Sequence, residues 1–307
     1  MGIAVFGAVF VDIKGYPIAQ YIPNGRNVGN VIHVHGGVSR NIAEDLGNIQ
    51  LHPTFVSVVD DTGIGTDVLN RLEEHGVETK YIRRIPNGLG TWLAIFDNHG
   101  DVVASISRRP DLSVLEEILD ECGDELISSC DSVALEIDID EPILRRVFKL
   151  ADKYDKKVYA AVSNMSIAME RREYLRRLGC LVCNLQEAEQ LFSVELEHFT
   201  HKELIALLSV LVEQARIKSM VVTMGGEGCI YVSKEEYGHL PAYNVDVIDT
   251  TGAGDSFFAG AAAGLTYGKS LRESAEIGTR VASSVIATKE STCPAFMPEE
   301  FGLKIAR

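Results

Sequence analysis

The stretch from Asp249 to Asp255, DTTGAGD, sets two glycines between two carboxylates, and Phe257, Phe258, Ala261 and Leu265 follow it at helical spacing. Glycines let a backbone approach a ligand closely, and the first N–H groups of a helix have no partner within it. The amides of Gly252, Ala253 and Gly254 are therefore expected to face a negative group. A carboxylate beside such a nest would repel a resident phosphate unless an acceptor lies between the two. With an alcohol in that gap, Asp255 can take the hydroxyl proton as the oxygen attacks phosphorus, while the amides stabilise the charge spreading over the transferring phosphoryl group. The competing reading makes Asp255 an ordinary helix cap.

Four other places carry polar chemistry. Asp12 lies in VFVDIKG, where a carboxylate can accept two hydroxyl hydrogen bonds, although turn aspartates are common. Gly36, Gly37 and Asn41 belong to GGVSRNIAEDLG, which also reads as a plain helix start. Asn184 and Glu187 in NLQE offer oxygen to a hard cation or cap a helix. Thr223, Gly225 and Gly228 in TMGGEG fit either a phosphate turn or a hairpin. AGLTYGKS superficially resembles a P-loop, but it ends a helix instead of following a strand. Gly268 therefore reads as a C-cap and Ser270 as the next N-cap. Arg108 and Arg109 in SRRP read as solvated.

The elements that must hold these residues alternate. Strands such as IAVFGAV and TFVSVV precede helical patterns, which predicts a parallel sheet covered on both faces. TWLAIFDNHGDVVASIS breaks the rhythm as a hairpin and is a candidate cover over the site. A further strand is expected over YNVDVID, running into the glycine turn. No linker or repeat divides the chain, so residues 1–307 read as a single α/β domain, with a β lid inserted from about 13–35 and 85–108.

A formal net charge of -15 repels nucleic acid and anionic membranes. The first residues lack the basic region of a signal peptide, no apolar run spans a membrane, and a cytoplasmic address is expected. Six cysteines read as buried thiols, and eight scattered histidines as satisfied or solvated side chains, so neither set predicts a metal.

DTTGAGDSFFAG resembles the C-terminal signature of the ribokinase family, the phosphofructokinase-B type carbohydrate kinases. The segments at Gly36, Asn184 and Thr223 resemble that family's other motifs in order and spacing, across essentially the full chain. The resemblance implies a three-layer α/β/α domain with a mostly parallel central sheet and a small β lid. It implies ATP as phosphoryl donor, with Mg2+ organised through water by Asn184 and Glu187, and Thr223, Gly225 and Gly228 near the nucleotide phosphates. A sugar or nucleoside would be held by Asp12, Gly36, Gly37 and Asn41, with Asp138 also near it. Asp249 and Thr251 become candidates for a K+ site, and a homodimer through the lid is expected. Within the family, VDIKG and the Gly36 block are most similar to the pseudouridine kinase branch. Two departures fall near the sugar: SRRPD follows the hairpin, and Val59 replaces a glycine before Asp60 and Asp61. The alternatives are another sugar or nucleoside kinase of the family, or a non-catalytic sensor on the same scaffold.

Overall fold

The computed structural model describes residues 2–305. In chain order the elements are β1 (Ala4–Phe6), β2 (Phe10–Pro17), β3 (Gly29–Gly36), α1 (Val38–Asn48), β4 (Thr54–Val59), α2 (Gly63–Glu74), β5 (Ile82–Arg84), β6 (Gly90–Phe96) and β7 (Val102–Arg108). They continue with α3 (Val114–Ser129), β8 (Val133–Glu136), α4 (Glu141–Lys153), β9 (Val158–Ala161), α5 (Met165–Glu170), α6 (Arg172–Leu175), β10 (Cys180–Asn184), α7 (Leu185–Phe192) and α8 (His201–Ala215). The last are β11 (Ser219–Thr223), β12 (Cys229–Ser233), β13 (Tyr237–Leu240), α9 (Ala253–Thr266) and α10 (Leu271–Ile286).

Nine strands form the central sheet in the order β13-β12-β11-β10-β9-β8-β1-β4-β5, with β12 alone running against the others. Strand side chains alternate between faces, and the two faces bury separate cores. Ala4, Phe6, Leu181 and Cys183 join one core with α3, α4 and α8. Ile3, Val5, Cys180 and Val182 join the other with α1, α9 and α10. The result is the expected three-layer α/β/α arrangement around a mostly parallel sheet.

β3, β2, β6 and β7 form a second, four-stranded sheet in that order; β2 pairs β6 in parallel and the outer pairs are antiparallel. The strand expected over IAVFGAV is confined to Ala4–Phe6. The chain leaves the central sheet after Phe6 and enters the small sheet at Phe10, which places Asp12 on the small sheet.

The strand expected over YNVDVID is absent: after β13 the residues from 241 to 249 form no strand. Pro241 has no N–H for the ladder, and Tyr243, Val247 and Ile248 are exposed, so the alternation faces no core. RREYLRRL contracts to α6, preceded by α5. Ser270 does cap α10, in a reciprocal capping box with Glu273. No helix among the described residues is long and apolar enough to cross a membrane.

α9 is the element on which the site depends. Nine consecutive residues, Ser256–Gly264, are buried, because α1 and α10 enclose it against the sheet. Small residues permit that approach: a Cβ added at Gly278 would lie 2.6 Å from the Phe257 carbonyl oxygen, and one at Gly260 would lie 3.0 Å from the Gly278 Cα.

Candidate functional site

Gly252 is the N-cap of α9, with φ 81°, and a side chain there would overlap the Ser291 carbonyl oxygen. Only glycine meets both conditions without strain. The turn does not present the expected amide trio. The Ala253 N–H donates back to the Thr250 oxygen at 3.2 Å, leaving the amides of Gly252, Gly254 and Asp255 without a partner among the described residues.

Asp255 does not cap its helix through a side-chain bond. Its Oδ2 accepts from Asn41 Nδ2 at 2.6 Å, joining the first turn of α9 to α1. Burial pushes its carboxyl up to about 7; the Asn41 hydrogen bond and Arg40 oppose the rise, while the Asp45 and Glu136 charges add to it. A carboxylate tuned near neutral pH suits general base chemistry. The other amide atom, Asn41 Oδ1, is buried with no hydrogen-bond partner, a costly vacancy that a hydroxyl donor would fill.

α1 is fastened on both sides of Asn41. Ser39 donates its N–H and its hydroxyl to Glu136 Oε1, at 3.2 and 2.7 Å. Asp45, one turn beyond Asn41, accepts from Ser256 Oγ at 2.7 Å and from the Cys293 N–H at 2.6 Å. Burial pushes Asp45 up to about 7 as well. Its neighbour Glu44 differs: burial raises it, but hydrogen bonds from Arg71 and Thr292 and the Arg40 charge outweigh that and hold it at about 2. Arg40, fully buried, pairs with Glu44 at 2.7 Å and donates to the carbonyl oxygens of His35 and Gly36, tying the end of β3 to α1.

Above this floor lies a cavity of about 430 Å³, within the usual size range of small-molecule sites. It brings together Asp12, Gly36, Gly37, Asn41, Asp138 and Asp255, along with Thr251 and Gly252. The small sheet walls it with one cross-strand row, Val34–Asp12–Trp92–Ser107, contributed by four strands in register. Burial raises the Asp12 carboxyl, with Lys14 and Arg40 opposing. Asp138 is almost fully buried and already occupied. Its oxygens accept from the Ser163 N–H at 3.0 Å, from Ser163 Oγ at 2.7 Å and from Arg109 Nη2 at 3.2 Å.

Three residues here escaped the sequence reading. Glu136 ends β8 and lines the cavity, its carboxyl raised by burial and by Asp138; a lone glutamate at a strand end carries no local signal. Trp92 was read only as part of the hairpin. Arg109, expected to be solvated, is indeed exposed over half its side chain, yet it also pairs with Asp138 at 3.2 Å in the cavity wall.

Asn184, Glu187, Thr223, Gly225 and Gly228 lie outside this cavity, around the end of the sheet where β10 and β11 finish and where ligands of such sheets gather, while Asp249 lies in the segment before α9. Asn184 and Thr223 close β10 and β11 as register partners. Asn184 and Glu187 form a reciprocal capping box, so the cap reading holds locally; each keeps one polar atom, Nδ2 and Oε1, without a protein partner among the described residues. Burial raises the Glu187 carboxyl, opposed by the Asn184 N–H and assisted by the Asp138 charge. Gly225–Glu227 is a single 3-10 turn that joins antiparallel β11 and β12, with Gly228 following, so TMGGEG is also a hairpin turn. Asp249 Oδ1 accepts from the Thr251 N–H at 2.8 Å, a bond that lowers its carboxyl. Among the described residues no group of three or more histidine, cysteine or acidic side chains is arranged to hold a metal.

Comparison with known proteins identifies the family and the fold. The family model for pfkB family carbohydrate kinases matches residues 2–298. The chain is 34% identical over 292 residues to guanosine-inosine kinase of Exiguobacterium acetylicum, covering 94% of this chain and 95% of that one. It is 24% identical over 295 residues to pseudouridine kinase of Escherichia coli (strain K12), covering 95% and 92%. Among solved structures, Arabidopsis thaliana ribokinase complexed with ribose and ATP superposes with a TM-score of 0.85 at 22% identity, covering 99% of each chain. The chain is a carbohydrate or nucleoside kinase, and it belongs to the pfkB family.

Proposed function

We propose that the protein transfers the γ-phosphoryl group of ATP to the primary hydroxyl of a ribosyl-type acceptor, a nucleoside in preference to a free sugar. The observation that carries this reading is the floor of the cavity. A carboxyl raised to about 7, an orphaned buried amide oxygen and the unpartnered backbone amides of Gly252 and Asp255 line it together, with that of Gly254 between them in the chain. In this reading Asp12 accepts hydrogen bonds from ribose hydroxyls, and Asn41 Oδ1 accepts one more. The primary hydroxyl is thereby directed at Asp255, which removes its proton as the oxygen attacks phosphorus. The amides of Gly252, Gly254 and Asp255 donate to the phosphoryl oxygens as charge develops on them. Mg2+, when bound, would neutralise charge on the donor phosphates; Glu187 Oε1 is the free acceptor suited to orient its waters, and Asn184 Nδ2 the free donor suited to a phosphate oxygen. Thr223, Gly225 and Gly228 would border those phosphates.

The nucleoside preference rests on two named relatives, guanosine-inosine kinase and pseudouridine kinase. Asp249 and Thr251 are the proposed monovalent-cation site, which predicts faster turnover in KCl than in choline chloride. Five of the six free cysteines are buried, which suits a reducing compartment such as the cytoplasm and is checked by cell fractionation.

The experiment is a coupled ADP-release assay with ATP and Mg2+ against guanosine, inosine, adenosine, pseudouridine, ribose and fructose. ADP release that depends on an acceptor supports the kinase. Saturable acceptor binding with no ADP release would instead establish the non-catalytic sensor.

A further inference from the structure

The small sheet and the chain leaving it carry a second set of polar and aromatic groups that phosphoryl transfer itself does not use. Asp12 and Trp92 are register partners on adjacent strands and line the same cavity. Neighbouring strands lie about 4.8 Å apart, so the indole begins one strand spacing from the carboxylate assigned to the ribose hydroxyls. That is where a base attached to the ribose would lie. Phe96, two pleat repeats further along β6, meets the indole edge to face at 6.4 Å and 89°, fixing the plane of the ring.

Arg109 follows β7 two residues after Ser107, the last member of the cross-strand row, and lines the same cavity. Its side chain is 55% exposed while its partner Asp138 is 1% exposed. Ser163 and Arg109 between them occupy both Asp138 oxygens, so this carboxylate orients the guanidinium and leaves little capacity for a sugar hydroxyl. The guanidinium is held at Nη2, and its Nη1 and Nε have no protein acceptor among the described residues. The second Nη2 hydrogen and the N–H of an adjacent free nitrogen form a parallel donor pair, in a cavity that Trp92 also lines, suited to a ring edge carrying two adjacent acceptors. The O6 and N7 atoms of a 6-oxopurine form such an edge, whereas adenine presents a donor at the 6-position. A free sugar has neither this edge nor a face to stack.

We propose that Trp92 and Arg109 form a base-reading subsite that selects 6-oxopurine nucleosides: the indole stacks on the base, and the guanidinium, oriented by Asp138, bonds its O6/N7 edge. This rests on the nucleoside reading above and makes Asp138 a positioning residue for Arg109 instead of a sugar ligand.

Trp92 is the chain's single tryptophan, so its fluorescence reports on the subsite without requiring turnover. Titration of the full-length protein with guanosine or inosine is expected to change that emission saturably, adenosine to bind more weakly, and ribose to leave it unaltered. Arg109→Met is expected to weaken guanosine binding roughly 5- to 150-fold with adenosine nearly unaffected, and Asp138→Asn to move the same ratio in the same direction. Trp92→Leu, followed by calorimetry, is expected to weaken all nucleosides by a similar factor, with Trp92→Phe restoring most of the loss. Unchanged emission with guanosine would overturn the subsite, as would an Arg109→Met protein that keeps the wild-type guanosine-to-adenosine ratio. Nucleoside binding of the expected pattern with no ADP release would uphold the subsite and sink the kinase reading, so the two failures are distinguishable.

Discussion

At the scale of single residues, protonation of the base sets the activity. Asp255, held up to about 7 chiefly by burial, must be ionised to accept a proton, so kcat/KM is expected to rise with pH through about 7 and level above it. Four groups face it: Asn41, Arg40 and Asp45 from α1, and Glu136 from β8. The Asp45 charge can be removed at little steric cost. Asp45→Asn can still accept the Cys293 N–H and contact Ser256, and it takes away a negative neighbour. The acidic limb of the kcat/KM profile is therefore expected to move to lower pH; a limb that stays in place would show that the Asp45 charge does not reach Asp255. Much of this was legible in the sequence. A glycine turn followed by an aspartate announces an anion site beside a base, and Asn41, Asp12 and Asp138 do share one cavity with it. The state of Asp138 was not legible, because its partners Ser163 and Arg109 lie 25 and 29 positions away in the chain.

At the scale of elements, the base is placed by helix contact. α9 can lie against α10 only because Gly278 has no side chain, its absent Cβ facing the Phe257 carbonyl oxygen at 2.6 Å. Gly278→Val should force the helices apart, costing about 1–3 kcal/mol of stability, read as a lower midpoint of thermal or denaturant unfolding. It should also lower kcat more than it raises KM, since sub-ångström errors in position weaken transition-state contacts. Retention of full kcat in a folded Gly278→Val protein would show that α9 tolerates displacement. α8, with Leu204, Leu208 and Val212 on its one buried face, was readable from periodicity, and β4, buried on both faces, from its short apolar run. The strand expected over residues 243 to 249 was not there, since alternation is informative only where a core receives one face and Pro241 had already ended the ladder. The break between β1 and β2 was hidden for a related reason: one apolar run supplies two sheets, and the sequence does not mark where it changes sheet.

At the scale of the whole molecule, the small sheet has two faces with different duties. One bears Asp12 and Trp92 and looks into the cavity; the other carries Val31, Leu93, Ile95 and Ile106, all exposed. Their register partnerships set them side by side, Ile13–Leu93–Ile106 in one row and Val31–Gly15–Ile95 in the next. An apolar face of this kind at the edge of a chain of net charge -15 is the proposed seat of a second copy. Sedimentation is expected to give a dimer that Ile106→Glu converts to monomer, and a wild-type monomer at micromolar concentration would exclude it. The account as a whole stands on Asp255, and the most direct measurement is single-turnover phosphoryl transfer from ATP by the Asp255→Asn protein, using the acceptor the wild type prefers. Asn preserves the bond from Asn41 and the first turn of α9 but cannot take a proton. Transfer is expected to fall about 10²- to 10⁴-fold, with acceptor affinity within a few-fold of wild type by calorimetry; transfer at the wild-type rate would contradict the account.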